Sequence, residues 1–277
     1  MRFGKTRGRR VAVLALLGMG AAAATALAAG GVSTSSKSKL IGHAGAVAAK
    51  CPKGKRAIGG GFAVPAAGIA QQDYPGGGRV WGVESYNPGP TNRKLTAYAR
   101  CEPKGSGPLT VVSKSVTTSR SGPDPVLTSP VATCPAGTHV LSGGYKVRPP
   151  YTSGGGDKGE IAVFESRRTS SRSWRAKGGN EGKPTALVAF ALCAGNGRGA
   201  VTQGSASQSV TGPSTTATAS CPAGQHTIGG GFRVPSNAGI PRVQFSKPSG
   251  ARDWKVNFGT TSPTAQKVTA YAYCEKG

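Results

Sequence analysis

CPAGQHTIGGGFRVP, residues 221–235, occurs in this chain three times in variant form. The other copies are CPKGKRAIGGGFAVP at 51–65 and CPAGTHVLSGGYKVR at 134–148. Each is followed by a tryptophan (Trp81, Trp174, Trp254) and then by a run ending in cysteine: LTAYARC at 95–101, LVAFALC at 187–193 and VTAYAYC at 268–274. The Trp-to-Cys separations are 20, 19 and 20 residues. A weaker element opens each unit: SKSKLIG at 36–42, SKSVTT at 113–118 and SQSVTG at 207–212. Self-similarity on this scale marks a tandem repeat. The chain therefore divides into a leader at 1–28 and modules at 29–104, 105–196 and 197–277.

Within each module the patterning is that of strands. In the closing run, Val268, Ala270, Ala272 and Cys274 share one side while Thr269, Tyr271 and Tyr273 share the other. In the glycine run, Ile228, Gly230, Phe232 and Val234 alternate with Gly229, Gly231 and Arg233, so the variable position Ala63, Lys146 or Arg233 faces solvent. Glycine there removes side chains where another strand or the tryptophan must come close, or permits a bulge. Hairpin signals surround each tryptophan, as in VQFSKPSGARDWKVNF at 243–258. The chain is thus expected to be all-β, as three small β-sandwich or jelly-roll-like modules. The alternative is a single β-prism, three sheets around a pseudo-threefold axis.

The repeat also sets the cysteine pairing. Each module owns two, and only Cys51–Cys101, Cys134–Cys193 and Cys221–Cys274 give all three copies one structure. Closing a loop of about 50 residues adds roughly 4 kcal/mol on the chain-entropy account, a large term for modules this small.

Residues 1–28 read as a secretory signal. Arg2, Lys5, Arg7, Arg9 and Arg10 precede an uncharged apolar stretch, and Ala26-Leu27-Ala28 offers a cleavage site. No later stretch reads as a membrane span. Export places the cysteines in an oxidising compartment, where an even count reads as disulfides. The composition, with 44 Gly and 20 Pro, disfavours long helices. The chain carries 35 basic and 10 acidic residues; the leader takes five of the basic ones, leaving 30 against 10. That surplus favours polyanionic partners such as wall polymers, acidic glycans or nucleic acid.

The CPxG…GGGF…W…TAYAxC pattern resembles a module found in secreted proteins of high-GC Gram-positive bacteria, over about residues 33–277. The resemblance implies export and a disulfide-closed β module, and it brings no catalytic residues. A fainter similarity links the chain to the threefold repeats of vitelline-membrane outer-layer proteins, whose CPxG segments also precede a closing cysteine. Cys-to-Cys spacing in those repeats is shorter than the 50 to 59 residues here.

A feature present in every copy reads as scaffold, and one present in a single copy reads as function. His139 and His226 share a position that the first module fills with Arg56, which marks an exposed polar site rather than a catalytic base. The glycine run lacks phosphate-loop spacing and opens no helix, so no dedicated nucleotide site is expected, nor any metal or cofactor. The second module alone carries a basic hairpin, in which Arg167, Arg168, Arg172, Arg175 and Lys177 are candidates for holding a polyanion. The expected function is a secreted, non-enzymatic, surface-associated binder of anionic polymers. One alternative is a lectin-like module reading neutral sugars through Tyr86, Tyr151 or Tyr273. Another is a hydrolase using two of Asp157, Glu160, Glu165 and Glu181.

Overall fold

The computed structural model describes residues 31–64, 68–118, 126–149, 161–180, 183–195, 197–210, 214–234, 242–259 and 265–276. The leader lies outside them, as do Tyr151, Asp157, Glu160 and Glu181. Among the described residues the protein is all-β. Module 1 contributes β1 (Ser33–Ile41), β2 (Ala44–Lys50), β3 (Lys55–Ala63), β4 (Ile69–Gly77), β5 (Val80–Tyr86) and β6 (Arg93–Pro103). Module 2 contributes β7 (Leu109–Thr118), β8 (Val126–Thr128), β9 (Val131–Thr133), β10 (Thr138–Arg148), β11 (Ile161–Arg168), β12 (Ser173–Asn180) and β13 (Thr185–Gly195). Module 3 contributes β14 (Thr202–Val210), β15 (Thr215–Ser220), β16 (Gln225–Arg233), β17 (Arg242–Ser249), β18 (Asp253–Gly259) and β19 (Gln266–Lys276).

Each module is a two-layered unit. Its opening strand, closing strand and glycine strand form one half-sheet, and the hairpin with one further edge strand forms the other. The halves then join edge to edge with those of the neighbouring modules. The first sheet runs β1-β6-β3-β17-β18-β15, the second β2-β5-β4-β10-β13-β7, and the third β14-β19-β16-β11-β12-β8, with β9 also on β12. The junctions are short. Phe245 and Ser246 pair with Ala63 and Phe62, Tyr145 and Lys146 with Asp73 and Gln72, and Glu165 and Ser166 with Arg233 and Phe232. Every glycine strand thus meets the hairpin of another module, and the third module closes back onto the first. Both expectations meet here: sandwich-like, disulfide-closed modules, sharing their sheets around a pseudo-threefold axis.

The repeated stretch explains this geometry residue by residue. In CPxG, the glycines Gly54, Gly137 and Gly224 have φ of 83°, 73° and 74°, the left-handed region that a side chain resists. Each sits in a turn closed from the following amide to the proline carbonyl, as in Gln225 N to Pro222 O at 3.2 Å. The cysteines just before these turns pair as the repeat requires, Cys51–Cys101, Cys134–Cys193 and Cys221–Cys274. The glycine run then serves three neighbours. Its first position faces the axis, where Gly59 lies against the backbone of Ile228 and Gly229 lies 2.8 Å, measured from its would-be Cβ, from the Cβ of Ser142. The axis has room for one small side chain: Ser142 takes it and donates to the carbonyl of Ile58 at 2.6 Å. The second position (Gly60, Gly143, Gly230) lies under the module's own tryptophan, and the third (Gly61, Gly144, Gly231) against a backbone carbonyl of the adjoining module.

The core that results is continuous through the molecule. Trp81, Trp174 and Trp254 are fully buried, and the aromatics ending each glycine run meet edge to face, Phe62–Phe232 at 6.3 Å and Tyr145–Phe232 at 6.2 Å. Each indole N–H must then find an acceptor inside. Trp174 and Trp254 donate to Ser166 Oγ and Ser246 Oγ at 3.1 and 2.9 Å, whereas Trp81 donates to Asp73 Oδ1 at 2.5 Å.

Candidate functional site at the module seams

The five basic residues of the module 2 hairpin separate in the structure. Arg167, Arg175 and Lys177 lie together on the third sheet, where Arg167 pairs with Arg175 and Glu165 with Lys177 across β11 and β12. The sheet junction adds Arg233 from module 3, opposite Glu165. Glu165 is buried and held at 3.1 Å by Arg167, 2.6 Å by Arg175 and 3.7 Å by Arg233. Four cations around one carboxylate leave this face strongly positive. The corresponding rows are weaker: Lys146 stands with Glu84 on the second sheet, and Lys247 with Lys255 on the first.

Arg172 and Arg168 go elsewhere. Arg172 donates from Nε and Nη2 to the carbonyl of Cys134 at 3.1 and 2.8 Å, and Arg79 and Arg252 do the same to Cys51 and Cys221. This clasp belongs to all three copies and has a signal in the sequence, an arginine two residues before each tryptophan. Arg168 turns into the seam between modules 2 and 3.

Three sequence positions meet at every seam. One lies six residues before the tryptophan (Pro75, Arg168, Pro248), one just before the closing cysteine (Arg100, Leu192, Tyr273), and one is the Arg/His position of the repeat (Arg56, His139, His226). The last was expected to be exposed. The structure half-buries it instead, because the sheets converge there and bring neighbouring modules over it.

At the seam of modules 3 and 1, Arg100 is 2 % exposed and fills the space. Its Nε donates to the carbonyl of Thr227 at 2.8 Å, its Nη1 to Thr34 Oγ1 at 2.7 Å, and its Nη2 to the carbonyls of Thr227 and Ala251. Burial pushes its pKa down to about 10, so it stays charged at neutral pH. Arg100→Ala is expected to cost about 3 kcal/mol, because it empties the seam and strands the buried Thr227 carbonyl. Urea denaturation reads this, and a loss below about 0.5 kcal/mol would mean the seam closes without the guanidinium.

At the seam of modules 1 and 2, Leu192 lines a concavity of about 190 Å³ with Arg56, Leu109, Val111, Pro75 and Val80, and Arg56 is paired to Glu102 at 2.7 Å. At the seam of modules 2 and 3 the cavity is about 370 Å³, lined by His139, Arg168, Ser171, Arg198, Ala200 and Val201. Arg168 donates from Nη1 and Nη2 to the carbonyl of Val201, both at 3.1 Å, and lies over the Tyr273 ring. Burial lowers its pKa, with Tyr273 opposing. Among the described residues no carboxylate pairs with it. Arg198 differs. It is held by Glu275 at 2.6 and 2.5 Å and by Glu102 at 2.6 and 2.5 Å, so burial disfavours its charge but these carboxylates outweigh it and raise its pKa. His139 has a buried Nε2 with no hydrogen-bond partner. Burial first, then Arg198 and Arg168, lower its pKa, so the imidazole is neutral at pH 7.

The same geometry places two residues of the alternative readings. Tyr273 is fully buried, its hydroxyl accepting from the Arg168 amide at 2.8 Å, and it presents no ring face to a sugar. Glu165, the one described carboxylate of the hydrolase set, is fixed in its ion pairs. No protein-family model matches the chain, and no curated protein matches it significantly.

Proposed function

We propose that this is an exported, non-enzymatic protein that docks electrostatically on anionic polymers through the outer face of its third sheet. The observation that carries the reading is Arg167, Arg175, Lys177 and Arg233 gathered on one face around the single carboxylate of Glu165. Guanidinium forks suit the paired oxygens of phosphate, sulfate and carboxylate groups. Arg175 and Arg233 keep side-chain exposures of 32 % and 60 %, which leaves donors for a partner. The three disulfides suit an oxidising, extracellular setting. A charged face of this kind gives attraction that salt screens.

Retention on heparin resin and on purified anionic wall polymer tests the reading. The protein is expected to bind at low salt and to elute by about 0.5 M NaCl. The combined Lys177→Gln and Arg233→Gln variant, which keeps the Arg167 and Arg175 contacts of Glu165, should elute at clearly lower salt with its thermal midpoint little changed. Retention no greater than that of a neutral secreted control, or an unaltered elution point for the variant, overturns it.

A further inference from the structure

The three seams are one concavity built three times and finished differently. Arg100 fills the first, Leu192 and its neighbours leave the second small, with its lining Arg56 paired to Glu102, and the third is the larger and holds Arg168 without a carboxylate. We infer that the cavity between modules 2 and 3 binds one anionic, hydroxyl-bearing unit, a sugar acid or a polyol phosphate, with Arg168 as its anion-binding residue. The ligand class rests on the polymer reading above, since such units are what acidic polymers are made of.

Charge selects the anion. Arg198 is already shared between Glu102 and Glu275, so it contributes a wall rather than a free charge. Arg168 is the lining cation that no described carboxylate neutralises, and a half-buried guanidinium in that state favours one negative group. The equivalent positions hold Pro75 and Pro248, so this charge belongs to one seam of three. Hydroxyl selection follows from the other lining groups. Ser171 brings an exposed hydroxyl to the rim, beside the His139 ring. An alcohol both donates to and accepts from hydroxyls.

Size selects the unit. A volume of about 370 Å³ is within the range of pockets that take small molecules and more than a bare oxyanion fills. Ala200 and Val201 add an apolar wall against which a ring or carbon chain can lie.

The test is a heteronuclear NMR titration of the full chain, at fixed ionic strength, with glucuronate, glycerol 3-phosphate, an oligouronate and glucose. Saturable shifts at the amides of Arg168, Ser171, Ala200 and Val201 are expected with the first two. The oligouronate should reproduce them if polymer units are accepted, and lack them if only free units enter. Glucose should bind at least about tenfold more weakly, and Arg168→Gln should weaken both anions by about tenfold or more. Ala200→Phe, at an exposed position, should block the cavity while leaving the Arg168 contacts intact. Absence of saturable shifts with either anion, equal affinity for glucose, or wild-type affinity in both variants overturns the inference. The Lys177→Gln and Arg233→Gln variant of the sheet face should leave the monomer titration unmoved. Loss of polymer retention with monomer binding intact would therefore overturn the polymer reading alone, and the reverse this inference alone.

Discussion

Gly230→Ala is expected to leave no stable folded protein. A Cβ at this position would fall within the indole of Trp254, and those of Gly60 and Gly143 within Trp81 and Trp174. The indole cannot step aside, because it is fully buried and tied by its N–H to Ser246 at 2.9 Å. The strand cannot retreat either, since β16 is paired on both sides, to β19 and β11. Overpacking in a core that can relax costs about 1–3 kcal/mol. Here neither partner yields, and a loss above about 4 kcal/mol is a large share of a domain's total stability. Gly105→Ala is the control: nothing lies within 4 Å of its would-be Cβ. Yield of folded protein and thermal midpoint measure both. A Gly230→Ala protein melting within a few degrees of wild type would refute the close-packed reading of the glycine run.

Asp73→Ser is expected to stabilise the protein, and increasingly so with rising pH. Asp73 stands where modules 2 and 3 have Ser166 and Ser246, accepting from the same indole N–H. It is 6 % exposed, and burial pushes its pKa up to about 8, a rise that the Trp81 hydrogen bond only partly opposes. The unfolded chain ionises this group near its ordinary 3.8, so between about pH 4 and 8 folding takes up a proton. A raised carboxyl pKa therefore makes stability fall as pH rises through that window, with the full penalty present above pH 8. Serine does not titrate and keeps the acceptor. The two proteins should be nearly equal at pH 4 and then diverge by up to about 1.4 kcal/mol per pH unit. Denaturation at several pH values checks this, and a difference independent of pH would show that Asp73 is ionised in the fold.

Much of this fold is legible in the chain because three copies vote on each position. The cysteine pairing, the role of the glycines and the strands around each tryptophan follow from what the copies share. The clasp from Arg79, Arg172 and Arg252 was equally available, as an arginine at constant spacing from tryptophan, but it hid among many other basic residues. The closed ring was harder to read. Each junction rests on two residue pairs, such as Phe245–Ala63 and Ser246–Phe62, and backbone pairing leaves no mark on side-chain type. The seam cavity is legible only after the ring is known. Arg168, Arg198 and His139 are distant in sequence, and Arg198 sits in a linker that no repeat highlights. Asp73 stands out only when aligned eight residues before its tryptophan, against two serines.

The same ring has a consequence for the order of events during synthesis. The glycine strand of module 1 is among the first parts of the core to emerge, yet its outer neighbour, β17, lies in module 3. Ala63 must wait for Phe245, while Tyr145 completes the edge of β4 much sooner. In that interval β3, with glycine at 59–61, presents an unpaired edge to any passing strand. Contacts so far apart along the chain form slowly and invite pairing with the wrong partner. The Cys51–Cys101 bridge forms within module 1 alone and can hold β3 against β6 while the edge is open. Its service is thus greatest before the molecule is finished, as a guardian of nascent chains.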